Sequence, residues 1–217
     1  MRELIVNTFL TLDGVMQAPG APEEDPSGGF EHGGWSAGYW DEQMQQSMGE
    51  TMSTPFDLVL GRRTYEIFAA HWPYSEGPIA DALNSATKHV ASTTLKDLDW
   101  QNSKLIEGDV ADGVRALKQQ DGPELQVHGS ANLIQTLLTH GLIDEFRLYV
   151  FPLVLGTGKR LFDGGTVPAG LEQTRAQTSS TGVTIATYRT GADIRYGSFA
   201  PETPSEAELQ RRAAQQR

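Results

Sequence analysis

The sequence predicts an α/β fold built on a mixed sheet, and three observations lead to that prediction. Short apolar segments, several of which end at glycine, alternate with amphipathic segments through most of the chain. This alternation is typical of strands and helices that build a largely parallel sheet. Residues 171–190 then form two β-rich runs joined by a Ser-Thr-Gly turn, which predicts a hairpin. A length of 217 residues, 38% of them hydrophobic, suits one compact domain, alone or with an extension.

The first half of the chain supplies two predicted strands, at residues 3–12 and 56–61. Between them, residues 17–36 hold eight glycines or prolines in twenty residues, so we expect a long, lid-like surface loop. A helix is expected next, because apolar side chains recur there at helical spacing: Trp40, Met44, Met48 and Met52. The segment directly after residue 61 is predicted to be another helix, which Pro73 closes.

The second half of the chain continues the same alternation. Further strands are expected at residues 88–93, 103–108, 124–129 and 144–156. Further helices are expected at residues 77–86, 109–120 and 130–141. Asp109 and Ser130 stand where helix N-caps belong, and Gly141 stands where the last of these helices would stop. Residues 1–197 are therefore predicted to form one domain, followed by a polar extension at residues 198–217 with a helix from Ser205.

Composition restricts the classes of partner. The net charge is −11, from 17 basic and 28 acidic residues, and no run of lysine or arginine is longer than two. Such a chain is expected to repel nucleic acid and anionic lipid. It contains no cysteine, which excludes disulfides and thiolate chemistry. No apolar window approaches a membrane span and no signal sequence is visible, so we expect a cytoplasmic protein.

Two strand–glycine–helix junctions are candidate anion sites. One contains Gly61, Arg62 and Thr64, and the other contains Gly129 and Ser130. Helix N-termini at the carboxyl ends of strands present unpaired N–H groups and a partial positive charge, and arginine adds a bidentate phosphate partner. Two junctions are suited to the two phosphates of a dinucleotide. Each junction alone is also ordinary turn geometry, in which Arg62 or Arg63 is simply solvated. If a phosphate binds, Arg62 and Thr64 are expected to contact it and Arg63 to be a solvated neighbour.

Other short motifs carry weaker signals. Ser92 and Thr93 end a further strand and offer hydroxyls to a ribose or a 2′-phosphate. No G-x-G-x-x-G follows the first strand, and the glycines at 156 and 158 predict a turn and not a phosphate-binding P-loop. Residues 34–38 match G-x-S-x-G, but no apolar strand precedes them, so a serine hydrolase using Ser36 is disfavoured. The five histidines show no metal-ligand spacing, and we expect no metal.

Four blocks in this order resemble the dihydrofolate reductase-like superfamily. They are "LGRRTYE", "VAST", "VHGSANLIQTLL" and "LIDEFRLYVFPLVLGTGKRLF", and the opening "TFLTLDGV" is similar to the S-L-D-G segment of that superfamily. The resemblance covers roughly residues 3–189. It is strongest to the group that contains the reductase domain of the bifunctional riboflavin-biosynthesis deaminase/reductase.

The resemblance implies a three-layer fold, with a mixed, mainly parallel sheet of roughly eight strands flanked by helices, and NADPH bound across the strand ends. It also implies a homodimer and a small-molecule substrate. By the same analogy, the cofactor-binding residues are Leu12, Gly14, Gly61, Arg62, Thr64, Ser92, Thr93, Gly129, Ser130, Ala131, Asn132 and Leu133. Two features depart from the dihydrofolate reductases. Ser130 replaces the second glycine of a Gly-Gly pair, and no helix carboxylate has the spacing that grips a pterin.

Hydride transfer from NADPH requires orientation, a proton source and apolar walls more than elaborate side-chain chemistry. Asp13 and Asp41 are the candidate catalytic carboxylates, although Asp13 also suits a turn and Asp41 the start of a helix. The aromatic walls of a substrate site are expected from Trp35 and Trp40. For a substrate phosphate, the candidate partners are Lys159 and Arg160.

The sequence thus predicts an NADPH-dependent reductase acting on a small heterocyclic or ribosylaminopyrimidine-type substrate. A non-catalytic nucleotide-binding or dimerising module of the same fold is the main alternative. The serine hydrolase is the weakest of the three.

Overall fold

The computed structural model describes residues 1–215 as an eight-stranded sheet flanked by helices, which confirms the predicted fold class. The strands are β1 (Leu4–Thr11), β2 (Phe56–Gly61), β3 (Lys88–Ala91), β4 (Ser103–Leu105), β5 (Glu124–His128), β6 (Glu145–Phe151), β7 (Gly170–Thr178) and β8 (Thr184–Ala192). The helices are α1 (Glu42–Met52), α2 (Arg62–His71), α3 (Pro78–Ser85), α4 (Val110–Gln119), α5 (Ala131–Thr139) and α6 (Glu206–Gln215).

The strand order is β4-β3-β2-β5-β1-β6-β8-β7. Neighbours from β4 to β6 pair in parallel, whereas β8 pairs antiparallel with both β6 and β7. The carboxyl ends of the six parallel strands therefore meet at one edge of the sheet. In α/β sheets, this edge is where ligands bind.

Helices cover both faces of the sheet because side chains alternate along each strand. On one face, α4 and α5 pack on a cluster that includes Val6, Val127 and Ile134. On the opposite face, α2 and α3 pack around Leu58, and α1 inserts Met44 among the aromatic side chains of β6. The result is a three-layer arrangement in which α1, α2 and α3 share one face.

Several predicted boundaries differ from the structure for identifiable reasons. The strand expected to run to residue 156 ends at Phe151, because Pro152 has no N–H group to continue the ladder. The strands expected at 88–93 and 103–108 are shorter and end at Ala91 and Leu105. Asp109 caps α4 as predicted, since its side chain accepts a hydrogen bond from the Asp112 N–H.

Ser130 stands at the predicted N-cap position of α5, but its side chain does not cap the helix. Ser130 adopts a left-handed conformation with φ of 62°, and its side chain makes no cap hydrogen bond to the helix. Its hydroxyl bonds across the sheet edge instead, as described for the cavity below.

Helix α6 follows β8 and begins at Glu206, one residue after the predicted start. None of the side chains in α6 is buried. The last strand of the sheet, β8, thus ends at Ala192. A division into a domain at 1–197 and an extension at 198–217 stays a prediction, and its last two residues lie outside the described part of the chain.

Asp41 is expected to contribute to stability through two structural contacts. Its carboxylate accepts a hydrogen bond from the Met44 N–H at the start of α1 and two from Ser180 in the turn between β7 and β8. Asp41→Ala removes both contacts and should lower the melting temperature by about 2–6 °C. Asp41→Asn keeps the cap oxygen and should lower it less. An alanine variant that melts at the wild-type temperature would contradict this role.

Candidate cofactor and substrate cavity

A cavity of about 1160 Å³ opens at the carboxyl ends of the parallel strands. Its wall contains ten of the twelve residues predicted to bind a cofactor: Gly61, Arg62, Thr64, Ser92, Thr93, Gly129, Ser130, Ala131, Asn132 and Leu133. Two of the four predicted substrate residues, Trp40 and Lys159, also line it. The two candidate anion sites and the Ser92–Thr93 strand end therefore face one space.

The two glycine junctions are joined by a pair of hydrogen bonds. The Gly61 N–H donates to the Ser130 hydroxyl at 2.9 Å, and the Ser130 N–H donates to the Thr64 hydroxyl at 2.9 Å. Gly129, between β5 and α5, adopts φ of 58°, and a Cβ added to it would lie 3.4 Å from the Thr64 hydroxyl oxygen. The junctions thus pack directly against each other, and Ser130 acts as the link between them.

The linked junctions leave other donors directed to the cavity. The N–H groups of the first turns of α2 and α5 have no acceptor within their own helices, and the partial positive ends of both helices lie at this wall. Arg62 stands on the first turn of α2, and among residues 1–215 its exposed guanidinium pairs only with Glu66 in the next turn. An exposed i,i+4 pair of this kind is weak, so Arg62 can exchange Glu66 for a bound anion.

Ser92 and Thr93 follow β3 on the same wall. The Ser92 hydroxyl accepts hydrogen bonds from the N–H groups of Thr94 and Leu95, which shapes the turn. Its own hydrogen remains available to a ligand, because a hydroxyl both accepts and donates.

The loop at residues 17–36 forms the opposite wall, and its Asp25 carboxylate is one of the groups that hold it in place. Asp25 accepts hydrogen bonds from Arg63 at 2.8 Å, from Lys159 at 2.5 Å and from the Ser27 hydroxyl at 2.6 Å. Burial alone would raise the pKa of Asp25, but these hydrogen bonds outweigh it and bring the pKa down to about 2. Arg63 is therefore not the solvated neighbour that the sequence suggested, and Lys159 is already neutralised by the loop.

The side of the cavity beneath α1 is apolar and aromatic. Phe9 lies 5.1 Å from Tyr149 and 6.2 Å from Trp40, measured between ring centroids. Met48 and Met52 of α1 complete this wall. Trp40 is 41% exposed and lines the cavity, and its predicted contact with a substrate stays a prediction.

Two polar side chains on the central strands lie in this part of the cavity, and sequence reasoning assigned a role to neither. Asn7 of β1 and His128 of β5 are neighbours in the strand register. The Nε2 of His128 lies 2.8 Å from the Gln126 side-chain oxygen, and burial followed by the charge of Arg147 lowers the pKa of His128 to about 4. The imidazole is therefore neutral at pH 7. A polar Asn7 within an apolar strand was the available signal for this site.

The segment predicted to cover the cofactor lies outside the cavity wall. Leu12 is 67% exposed, and neither it nor Gly14 lines the cavity. The Asp13 carboxylate binds the Thr11 hydroxyl, the N–H groups of residues 155 and 156, and Arg160. The hydrogen bond from Thr11, followed by those from the N–H groups of residues 156 and 155, lowers the pKa of Asp13 to about 2. Asp13 and Arg160 thus fasten one loop to another and do not reach the substrate space.

The remaining predicted residues also have structural contacts away from the cavity. Trp35 donates its indole N–H to the Gln17 carbonyl and packs edge-on against Phe151. Asp41, the second predicted catalytic carboxylate, caps α1 and does not line the cavity. Ser36 donates to the Pro19 carbonyl and is followed by a short 3-10 turn, so the strand–turn–helix geometry of a nucleophile elbow is absent at this serine.

Metal-ligand clusters and membrane-spanning helices were both considered for the described residues. Among residues 1–215, no three histidine, aspartate or glutamate side chains are grouped as metal ligands would be. No helix in that range has the length and apolar character needed to cross a bilayer.

Comparison with known proteins identifies relatives along nearly the whole chain. The family model described as "RibD C-terminal domain" matches residues 2–185. The uncharacterized protein YyaP of Bacillus subtilis (strain 168) is 29% identical over 194 residues, which cover 86% of this chain and 94% of YyaP. The uncharacterized protein YwjB of the same organism is 28% identical over 108 residues, which cover 48% of this chain and 57% of YwjB.

Two solved structures share the fold. A putative riboflavin biosynthesis protein from Shewanella sp. PV-4 superposes with a TM-score of 0.64 at 22% identity, covering 88% of this chain and 99% of its own. A pyrimidine reductase-like protein from Corynebacterium diphtheriae superposes with a TM-score of 0.57 at 11% identity, covering 88% of this chain and 93% of its own. At these identities the likeness concerns the fold alone.

Removal of the Asp25 charge is expected to loosen the loop at residues 17–36. Asp25→Asn loses both ion pairs, so the loop should be cleaved several-fold faster by a glutamate-specific protease at Glu23 and Glu24. Asp97→Asn, a change at an exposed aspartate outside the cavity, is the matched control and should leave the cleavage rate unchanged. Equal rates for wild type and Asp25→Asn would show that Asp25 does not hold the loop.

His128 is expected to make the fold sensitive to acid. An unfolded histidine takes up a proton below about pH 6.5, whereas folded His128 resists protonation down to about pH 4. Protonation therefore favours the unfolded chain, and stability falls as the pH drops through this interval. Between about pH 7 and pH 4.5, wild type should lose about 1–3 kcal/mol more free energy of unfolding than His128→Gln. Urea denaturation at both pH values measures this difference, and parallel losses would refute it.

Proposed function

The chain belongs to the RibD C-terminal domain family, a reductase-type family of the riboflavin pathway, and we propose that it is an NADPH-dependent reductase of a small heterocyclic substrate, of the ribosylaminopyrimidine type or related to it. The observation that carries this proposal is the pair of linked glycine junctions on one cavity wall. Two helix N-termini brought side by side offer backbone donors to two adjacent phosphates. A dinucleotide has that arrangement of charge.

The residues present fit the proposed cofactor. Arg62 is an exposed cation at the first of the junctions and is paired only with a helix neighbour that an anion can replace. Ser92 and Thr93 supply hydroxyls along the same wall for a ribose or a 2′-phosphate. The volume of about 1160 Å³ exceeds the usual range for a single small ligand, about 300–1,000 Å³, so a cofactor and a substrate can share it.

NADPH, when bound, supplies the hydride, and the protein binds and orients the reactants. Under this proposal, the junctions hold the phosphates while Phe9, Trp40 and Tyr149 form flat apolar walls that exclude water from the substrate. No aspartate or glutamate lies on this aromatic part of the cavity in the described chain; the carboxylates on the wall belong to residues 23–25 of the loop. Asp13 and Asp41 are therefore not expected to be the proton source.

Titration with NADPH tests the proposal directly. Quenching of the four tryptophans should saturate with NADPH, and NADH, which lacks the 2′-phosphate, serves as the control. The absence of a saturable NADPH signal would refute the reductase. Saturation without oxidation of NADPH in the presence of any pterin or aminopyrimidine would favour the non-catalytic nucleotide-binding module. A homodimer, which the resemblance implied, stays a prediction for sedimentation analysis.

Arg62→Ala is expected to weaken NADPH binding about tenfold or more, which corresponds to the loss of one charge-assisted hydrogen bond of about 1.5 kcal/mol or more. Fluorescence titration measures the dissociation constant. Arg115→Ala is the matched control, because Arg115 is also an exposed arginine with one acidic helix neighbour, but it lies on α4 away from the cavity. Equal affinities for wild type and Arg62→Ala would move the phosphate to another part of the wall.

A further inference from the structure

We propose that the ion pair between Asp25 and Arg63 is a clasp across the cavity, and that a phosphate bound at Arg63 weakens this clasp. Asp25 of the loop at residues 17–36 is then a built-in competitor of an anionic ligand, so that anion binding and closure of the loop oppose each other. The inference concerns the cavity of the proposed function, but it requires only a bound anion and not hydride transfer.

The loop is tied to one side of the cavity through Gln17. The side-chain oxygen of Gln17 accepts a hydrogen bond from the Lys159 N–H at 3.0 Å, and its nitrogen donates to the carbonyls of Asp25 and Ser27, both at 2.9 Å. Gln17 is 5% exposed, so the amide that makes these bonds is shielded from water. The Lys159 ammonium adds bonds to the Asp25 carboxylate and the Ser27 hydroxyl. This side of the loop is therefore held by a connected network.

The opposite side of the cavity is reached by a single bond. Among residues 1–215, the hydrogen bond from Arg63 to Asp25, at 2.8 Å, is the only one that joins the loop to α2 or α5. The Arg63 side chain is 48% exposed, and one of its guanidinium nitrogens makes this bond, so the other nitrogens are open to a ligand. An ion pair with an exposed partner of this kind is weak. The clasp is therefore the contact between the two walls that opens most easily.

Two features of the wall indicate a ligand beside Arg63. Arg62 and Arg63 are successive cations on the cavity wall of a chain with a net charge of −11. Asn7 is 4% exposed and lines the same cavity, and within the described residues neither polar atom of its amide has a partner. Buried amides are almost always paired, so a ligand is expected to occupy this cavity. A phosphate group is the part of a ligand that two adjacent arginines attract.

Three charges meet at the clasp. One oxygen of the Asp25 carboxylate bonds to Arg63 and the other to Lys159, so the group as a whole retains one positive charge. This charge attracts an anion to the free nitrogens of Arg63. There the anion shares one guanidinium with the Asp25 carboxylate, and the two like charges repel. Because coupling is reciprocal, the anion weakens the clasp by as much as the clasp weakens the binding of the anion.

The neighbouring carboxylates of the loop do not form such a contact. Glu24 turns back to the loop itself, where its carboxylate accepts hydrogen bonds from the N–H groups of Gly20 and Ala21. Glu23 is exposed on the cavity wall, and in the described part of the chain it is paired with no cation. Asp25 is therefore the loop carboxylate whose removal tests the clasp, and Glu23 offers a matched control.

Calorimetric titration of the full-length protein with inorganic pyrophosphate tests the competition. Asp25→Asn should bind pyrophosphate at least about threefold more tightly than wild type, because the competing charge is absent. Glu23→Gln removes the same charge from the same wall without breaking a bond to a cation, and should bind pyrophosphate as wild type does. Equal or weaker binding by Asp25→Asn would overturn the proposal, and so would the absence of binding to all three proteins.

A double-mutant comparison assigns the competition to Arg63. When Arg63→Gln is already present, adding Asp25→Asn should raise the pyrophosphate affinity by less than about twofold, because the shared guanidinium is gone. The same gain with and without Arg63 would attribute the effect to Lys159 or to general charge, and the clasp would be refuted.

Amide hydrogen exchange gives a readout that an effect of charge alone would not move. Saturating pyrophosphate should make the amides of residues 18–28 in wild type exchange several-fold faster, because the clasp opens, and should leave the amides of β1 unchanged. In Asp25→Asn, pyrophosphate should not accelerate the loop, because the clasp is already open. Unchanged or slower exchange of the wild-type loop would contradict the proposal.

Two larger probes distinguish the sources of the phosphate. Adenosine 2′,5′-bisphosphate represents a cofactor, and ribose 5-phosphate represents a phosphorylated substrate. The probe that gains affinity in Asp25→Asn is the one that competes with the clasp, and a gain for neither would overturn the proposal. Failure of the reductase proposal appears separately, as the absence of NADPH binding to wild type while the response to pyrophosphate is retained.

Discussion

The site depends on two hydrogen bonds that join β2–α2 to β5–α5. Ser130 takes part in both, accepting from the Gly61 N–H and donating its own N–H to Thr64. Because β2 and β5 are adjacent in the sheet, these bonds fix both helix N-termini at one edge, where their partial charges add. These two bonds occupy the N–H groups of Gly61 and Ser130, which are then not available to a phosphate. In return, they fix the spacing between the other N–H groups at the starts of α2 and α5.

Charge is distributed unevenly around this linked pair of junctions. The chain carries a net charge of −11, yet three cations line one cavity. Two of them, Arg63 and Lys159, converge on Asp25, so a carboxylate of the loop occupies the position that an anion would take. Arg62 alone depends on an exposed helix partner. The loop therefore forms one wall of the cavity and pairs with two of the three cations that line it.

The order of the elements and the two junctions could be predicted from sequence because they depend on local patterns. The roles of Asp13 and Asp41 could not, because each carboxylate finds partners far along the chain. Asp41 bonds to Ser180, 139 residues away, and Asp13 bonds to Gly156, 143 residues away. Ser130 shows the same limit. A serine before a helix predicts a side-chain cap, but here the hydroxyl accepts a hydrogen bond from the Gly61 N–H at the end of β2 instead. Arg63 was read as solvated because nothing local showed Asp25 beside it.

Asn7 is the opposite case, in which a local signal was present and its meaning came from the fold. A polar side chain in the strand "LIVNTFLT" faces a buried position, which costs stability unless a partner is found. The neighbouring polar groups of Arg147, Glu124 and Glu145 bond to one another, and within the described residues none of them pairs with Asn7. Unsatisfied groups that persist in otherwise well-paired surroundings occur preferentially where function requires them. The unpaired Asn7 amide on the cavity wall therefore marks this part of the sheet as a candidate for function and not only for packing.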